Sequence, residues 1–347
     1  MRIHLALLLP TVLAASGCVS ANPRCCPPTR RASVPIQAPT PMKEATHVLY
    51  DGRLGTPTTL DAFVGEALGT DLVVFGELHG QPVGAEYELA LLKALDEKGG
   101  RPVAIAMEFF EADTQEAVDA YLAGDMDAET FQKETKRNAA YAKTHGPLVD
   151  WAKANGAPVI AANAPRKLVS GYRKAKTDYP AFLESLTEEE RALLPESMSV
   201  VEDEYWERFS TLMGEKMAKP FFLSQSLWDD AMAESMAEFR ASHPNHRILF
   251  IVGAFHVTEG LGTITKYSQR RPDDKVSALI MSMSPDGTLA WDEADHHAGN
   301  AVLMVKPPKK RERKGPNPHA SPKAEKIAEP KPTMPKLPPG HPAPPQS

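Results

Sequence analysis

Residues 72–80 read LVVFGELHG, and this stretch decides the fold. An unbroken run of Leu, Val and Phe with no polar alternation fits a strand buried on both faces, and such strands belong to parallel sheets covered by helices on each side. The run stops on Gly76, Glu77 and His79. Residues 246–257, HRILFIVGAFHV, repeat the design, so both runs finish on Gly-x-x-His, as Gly76 to His79 and Gly253 to His256.

Working outward, RPVAIAMEFF (101–110) and APVIAANAP (157–165) are further short runs rich in Val, Ile and Ala. Between the strands, GAEYELALLKALDEKG (84–99) sets Tyr87, Leu91, Leu92 and Leu95 at helical spacing and stops on Lys and Gly. The segments 112–123, 148–154 and 222–241 read as helices too. VSALIMSM (276–283) and AVLMVK (301–306) predict two more strands, an apparent hairpin around a polar loop. The expected fold is α/β: a mostly parallel sheet flanked by helices on both faces, with a helical insertion or lid over about 128–220.

In open α/β sheets ligands bind outside the carboxyl ends of the strands, where loops diverge and helix N-termini point inward. Every polar residue interrupting these runs lies at that end: Glu77 and His79, Glu108, Asn163 and Arg166, and His256. Each also has an ordinary explanation. Glu77 and His79, two apart on an extended segment, face one side and can bond each other. Glu108 can form an ion pair with Arg166, and His256 can be a satisfied core histidine. Asp295, His296 and His297 fit a solvated turn better than a metal site. The pairs Met213/Met217 and Met232/Met236, at i, i+4 spacing, fit core filler.

The 347 residues, 42% hydrophobic and 24% charged, suffice for a substantial core. The N-terminal segment MRIHLALLLPTVLAASGC predicts a lipoprotein signal over 1–18, with ASGC the box before a lipidated Cys18; an ordinary secretory signal is the alternative. Val19 and Ser20 follow, with no aspartate to retain the protein in an inner membrane, so the expected location is the cell envelope, lipid-anchored, at the outer membrane. Residues 19–41 read as a flexible proline-rich tether, 42–306 as the α/β domain, and 307–347, with 13 of the 32 prolines, as a disordered basic tail. The three cysteines, Cys18, Cys25 and Cys26, all precede the domain, which therefore has no disulfide and no cysteine nucleophile. Against a chain total of −6, flanks of +4 and +6 leave about −16 for the middle, which argues against nucleic-acid binding by the domain. No Gly-x-Ser-x-Gly, Walker, His-Glu-x-x-His or Cys-x-x-Cys-His motif occurs, which removes the main support for serine-hydrolase, nucleotide-hydrolase, zincin and c-type haem readings.

Taken together, VVFGELH (73–79), RPVAIAMEFF followed by Gln115, PVIAANAPR (158–166), QSLWDDAMA (225–233) and IVGAFHV (251–257) resemble, in order and spacing, the ChaN-like lipoproteins of the haem-binding uptake and Tiki superfamily. The resemblance implies an envelope-exposed domain that binds haem in a cleft, with two haems stacked across a homodimer. Family members commonly carry Trp-x-x-Tyr just before the helix that here reads GPLVDWAKANG, and that tyrosine is a candidate iron ligand. This chain has AKTH, which puts His145 in the tyrosine's place and leaves Tyr141 one turn earlier. Many relatives also have glycine where Phe255 precedes His256.

Two functions follow from the resemblance. In a haem-binding protein of haem or iron uptake, His79, His145, Tyr141 or His256 takes the iron and Arg166 answers a propionate. The superfamily also holds metal-dependent proteases and erythromycin esterases. In that alternative His79, His256 and a carboxylate from Glu77 or Glu108 hold a divalent metal, and Glu108 serves as general base.

Overall fold

The computed structural model describes residues 45–308. The signal segment with Cys18, the tether 19–41, residues 42–44 of the expected domain and the basic tail beyond 308 lie outside the described residues. Seven strands form one sheet: β1 (His47–Asp51), β2 (Leu72–Glu77), β3 (Val103–Glu111), β4 (Val159–Asn163), β5 (Arg247–Gly253), β6 (Val276–Met283) and β7 (Ala301–Val305), in spatial order β1-β7-β6-β2-β5-β3-β4. All neighbours are parallel except β1, which runs antiparallel to β7 along one edge. The helices are α1 (Leu60–Ala67), α2 (Pro82–Gly99), α3 (Gln115–Ala123), α4 (Ala128–Glu134), α5 (Gly146–Asn155), α6 (Arg166–Ala175), α7 (Tyr179–Glu184), α8 (Glu188–Arg191), α9 (Glu204–Met213), α10 (Glu215–Ser242) and α11 (Thr263–Arg270).

The period of two along each strand splits the core into two layers. Val73, Phe75, Ile105, Met107, Leu249 and Ile251 pack with α1 to α5, through residues such as Phe63, Leu92, Leu95, Val118 and Leu148. Leu72, Val74, Ala104, Ala106, Ile248 and Phe250 pack with Met232 and Met236 of α10 and Tyr267 of α11. Strands buried on both faces must be apolar throughout, which is why their runs are unbroken. Met232 and Met236 fill the core, whereas Met213 and Met217 are exposed.

Three readings change. The strands β6 and β7 are parallel neighbours, joined by residues 284–300, and not a hairpin; the joining loop turns back against the end of β1, where the His297 N–H donates to Gly52 O and His296 Nε2 to Arg53 O. The stretch 128–220 is not one insertion, because β4 runs through it: α4 and the turn before α5 lie on one side, while α6 and α7 pack beneath α10. Helix α10 begins at Glu215 and runs through Pro220, only five residues from its start, where the missing N–H deprives the Lys216 carbonyl alone.

Candidate functional site

The contiguous strands β2, β5, β3 and β4 deliver Glu77, Gly253, Glu108 and Asn163 to the same end of the sheet. The β3–β4 ladder loses register between Met107 and Glu111, an irregularity that re-aims side chains beside sites. Glu108 and Phe109 occupy that break.

Glu77 ends β2 almost fully buried and grips two histidines. His79 Nδ1 donates to its Oε1 at 2.8 Å and His145 Nε2 to its Oε2 at 2.8 Å. Burial alone would push the Glu77 carboxyl up, but the bonds from His145 and His79 outweigh it and hold the group well below the usual carboxylate range. The bond to Glu77 in turn raises His79 above the ordinary imidazole value. Phe109 stacks on the His145 ring at 3.8 Å and meets His79 edge-on at 5.5 Å. Behind Glu77 lies Glu88 of α2, 1% exposed, whose carboxyl burial and the Glu77 charge push well above its usual value. The Oε2 of Glu88 has no hydrogen-bond partner.

Glu108 faces the other way. Its Oε2 accepts the Gly253 N–H at 2.6 Å, and its Oε1 lies 3.9 Å from His256 Nε2. It does not pair with Arg166, whose Nε sits 3.3 Å from Glu111 Oε1 and whose backbone N–H also reaches Glu111, so Glu108 is left free to face His256. Asn163 Nδ2 donates to the Glu108 carbonyl. His256 Nδ1 donates to Asp229 Oδ1 at 2.6 Å, and the fully buried Asp229 also accepts from Thr263 Oγ1 and Tyr205 OH. Burial works against the imidazolium, but the Asp229 and Glu108 charges prevail and lift His256 to about 9. A methyl at Gly253 would lie 3.2 Å from His79 Nε2 and 3.3 Å from Glu108 Oε2, so this glycine is the bare ground between the two halves.

Beside the Glu77 half opens a cavity of about 600 Å³, lined by Glu77, His79, Phe109, Tyr141, His145 and Arg166, with Lys136 and Arg137 completing a cationic rim. Of the residues expected to bind a cofactor, His79, His145, Tyr141 and Arg166 line it and His256 does not. His145 has one nitrogen committed to Glu77. Tyr141 packs against Phe110 and Phe131, and burial pushes its phenol above the ordinary range. His79, its side chain 61% exposed, is the most accessible of the three lining residues that could ligate a metal.

Haem-binding uptake, Tiki superfamily, ChaN is the description of the family whose profile matches residues 63–266, more than half of the chain. The chain belongs to this family. A solved ChaN of Campylobacter jejuni, described as cofacial heme binding, superposes with a TM-score of 0.57 at 14% identity, covering 76% of this ChaN-family chain and 98% of that one. Less similar structures include the type III effector HopBA1 (TM-score 0.41, 14% identity, 71% of this chain and 92% of that one) and an erythromycin esterase mutant in its open conformation (0.37, 12%, 71% and 81%). No curated protein gives a significant sequence match.

Among the described residues of this ChaN-family domain, one group of three places its possible metal-donor atoms within 4.8 Å of one another: Glu77, Glu88 and His145. Of the four ligands expected from the sequence, Glu77 belongs to it and His79, Glu108 and His256 stand outside. Glu88, Asp229, Tyr205 and Phe109 were not singled out by sequence, although Asp229 lies within the quoted QSLWDDAMA.

Proposed function

We propose that the domain binds haem in the cavity beside Glu77, with His79 as the iron ligand. The observation that carries this reading is the state of His79: its Nδ1 is fixed by a buried carboxylate, the arrangement that sets tautomer and ring orientation in metal-binding histidines, while the ring stays accessible at the wall of a cavity large enough for a sizeable ligand. The fit extends to the other parts of a haem. Phe109 and Tyr141 give apolar walls, and Arg166, Arg137 and Lys136 suit propionates. Bound haem would supply iron-centred ligand or electron chemistry; the chain supplies orientation and charge. Membership of the ChaN family supports the same reading. Hemin titration of the haem-free protein tests it through the Soret band.

The wider reading is a haem or iron uptake lipoprotein of the envelope, anchored through Cys18 at the outer membrane. Among the described residues no helix is long and apolar enough to cross a membrane; the proposed attachment is the lipid on Cys18. Cys18→Ser should release the protein into the soluble fraction; unchanged membrane fractionation would contradict the anchor. A homodimer with stacked haems should appear as a hemin-dependent rise in mass by light scattering.

A second reading, a hydrolase, draws on the other half of the site. Glu108 facing an Asp229-backed His256 is an acid–base arrangement that haem binding does not require. In its metal-dependent form a divalent ion would share this cleft. Glu108→Gln should abolish turnover of an ester or peptide if this reading holds and leave hemin titration unchanged.

A further inference from the structure

We propose that Glu77, Glu88 and His145 form a binding site for one divalent transition-metal cation under the floor of the cavity, distinct from the haem iron. Three donors converge within 4.8 Å, and all three residues are buried. Glu88 decides the matter. It is an acidic side chain 1% exposed on the inner face of α2, its Oε2 has no hydrogen-bond partner, and it lies against a second buried glutamate, Glu77. Burying a carboxyl with one oxygen unpartnered beside a second carboxyl is costly unless a cation or a shared proton joins them.

The donor chemistry narrows the occupant. Two carboxylates and one imidazole suit zinc, manganese or ferrous iron; magnesium and calcium prefer all-oxygen shells. The surroundings are those of a supported site. His79 Nδ1 holds one oxygen of Glu77, and Phe109 stacks on the His145 ring, so two of the three ligands are oriented from outside. Glu77 and His145 also line the cavity, so the cluster borders the space from which a cation would enter. A proton shared between Glu77 and Glu88 is the alternative occupant of the same space.

The site shares Glu77 and His145 with the cavity assigned to haem, but Glu88 does not line that cavity, and this separates the two tests. Full-length protein, stripped with chelator and free of haem, is titrated with zinc alone by calorimetry. One equivalent bound, with affinity reduced at least tenfold in Glu88→Gln and hemin titration of that variant unchanged, is the expected result. Absence of stoichiometric zinc binding, or equal affinity in the variant, overturns the site in favour of the shared proton. Should Glu88→Gln fail to fold, zinc-edge absorption of the loaded wild type decides: one imidazole with oxygen donors supports the assignment, and two or more imidazoles overturn it. Failure of the haem reading would show separately, as wild-type protein that takes no hemin.

Discussion

His256 Nδ1 lies 2.6 Å from Asp229 Oδ1, joining the end of β5 to the buried face of α10. The same aspartate takes hydrogen bonds from Thr263 and Tyr205, so strand, α9, α10 and α11 meet at one carboxylate. The imidazolium of His256 is therefore part of what holds these helices on the sheet.

That pairing predicts a loss of stability in alkali. The folded-state value of about 9 is above the ordinary 6.5, so the contribution is fully present below pH 6.5 and is lost as pH rises through 9. At about 1.36 kcal/mol per unit the stake is roughly 3 kcal/mol. Urea midpoints measured from pH 6 to 10 should fall over that window in the wild type and fall markedly less in His256→Gln, where only the smaller contribution of His79 is left to titrate.

Gly253→Ala tests the bare ground between the two halves. The backbone there, φ −59° and ψ 132°, accepts alanine without strain, but the new methyl would press on His79 and Glu108. The melting temperature should change by no more than a few degrees, while hemin affinity falls about tenfold, equivalent to about 1.4 kcal/mol. Unaltered hemin affinity would mean that His79 is not held where the haem reading needs it.

At the opposite end of the sheet, Asp274 answers a buried Arg240 and accepts from Tyr267 OH, and these bonds overcome burial to hold its carboxyl at about 2. Asp274→Asn should destabilise the fold by about 3 kcal/mol, since it weakens a buried pair from one side, and leave hemin and zinc titrations unchanged. Loss of either ligand in this variant would show that the site depends on distant packing.

The main strands were legible because a strand buried on both faces has only one way to be written, and LVVFG and RILFIVG are written so. Their shared Gly-x-x-His endings fall on neighbouring strands, β2 beside β5. Strand direction was less legible: VSALIMSM and AVLMVK carry no mark of whether the chain returns beside or along its predecessor, and β1, as short as β4 and β7 but only half-covered, lacks their unbroken apolar run. Asp229 and Glu88 were missed for one reason. On an isolated helix an acid reads as solvated, yet each sits on its helix's apolar stripe, Asp229 three and seven residues before Met232 and Met236, and Glu88 three, four and seven before Leu91, Leu92 and Leu95. An acid in register with a buried stripe is the signal that could have found both.

The central claim, haem held through His79, is tested most directly by hemin titration of purified full-length wild type beside His79→Ala, read at the Soret band. The account predicts stoichiometric binding by the wild type and a lost or shifted Soret band in the variant, with His145→Ala and Tyr141→Phe less affected. An identical spectrum and affinity in His79→Ala would contradict it.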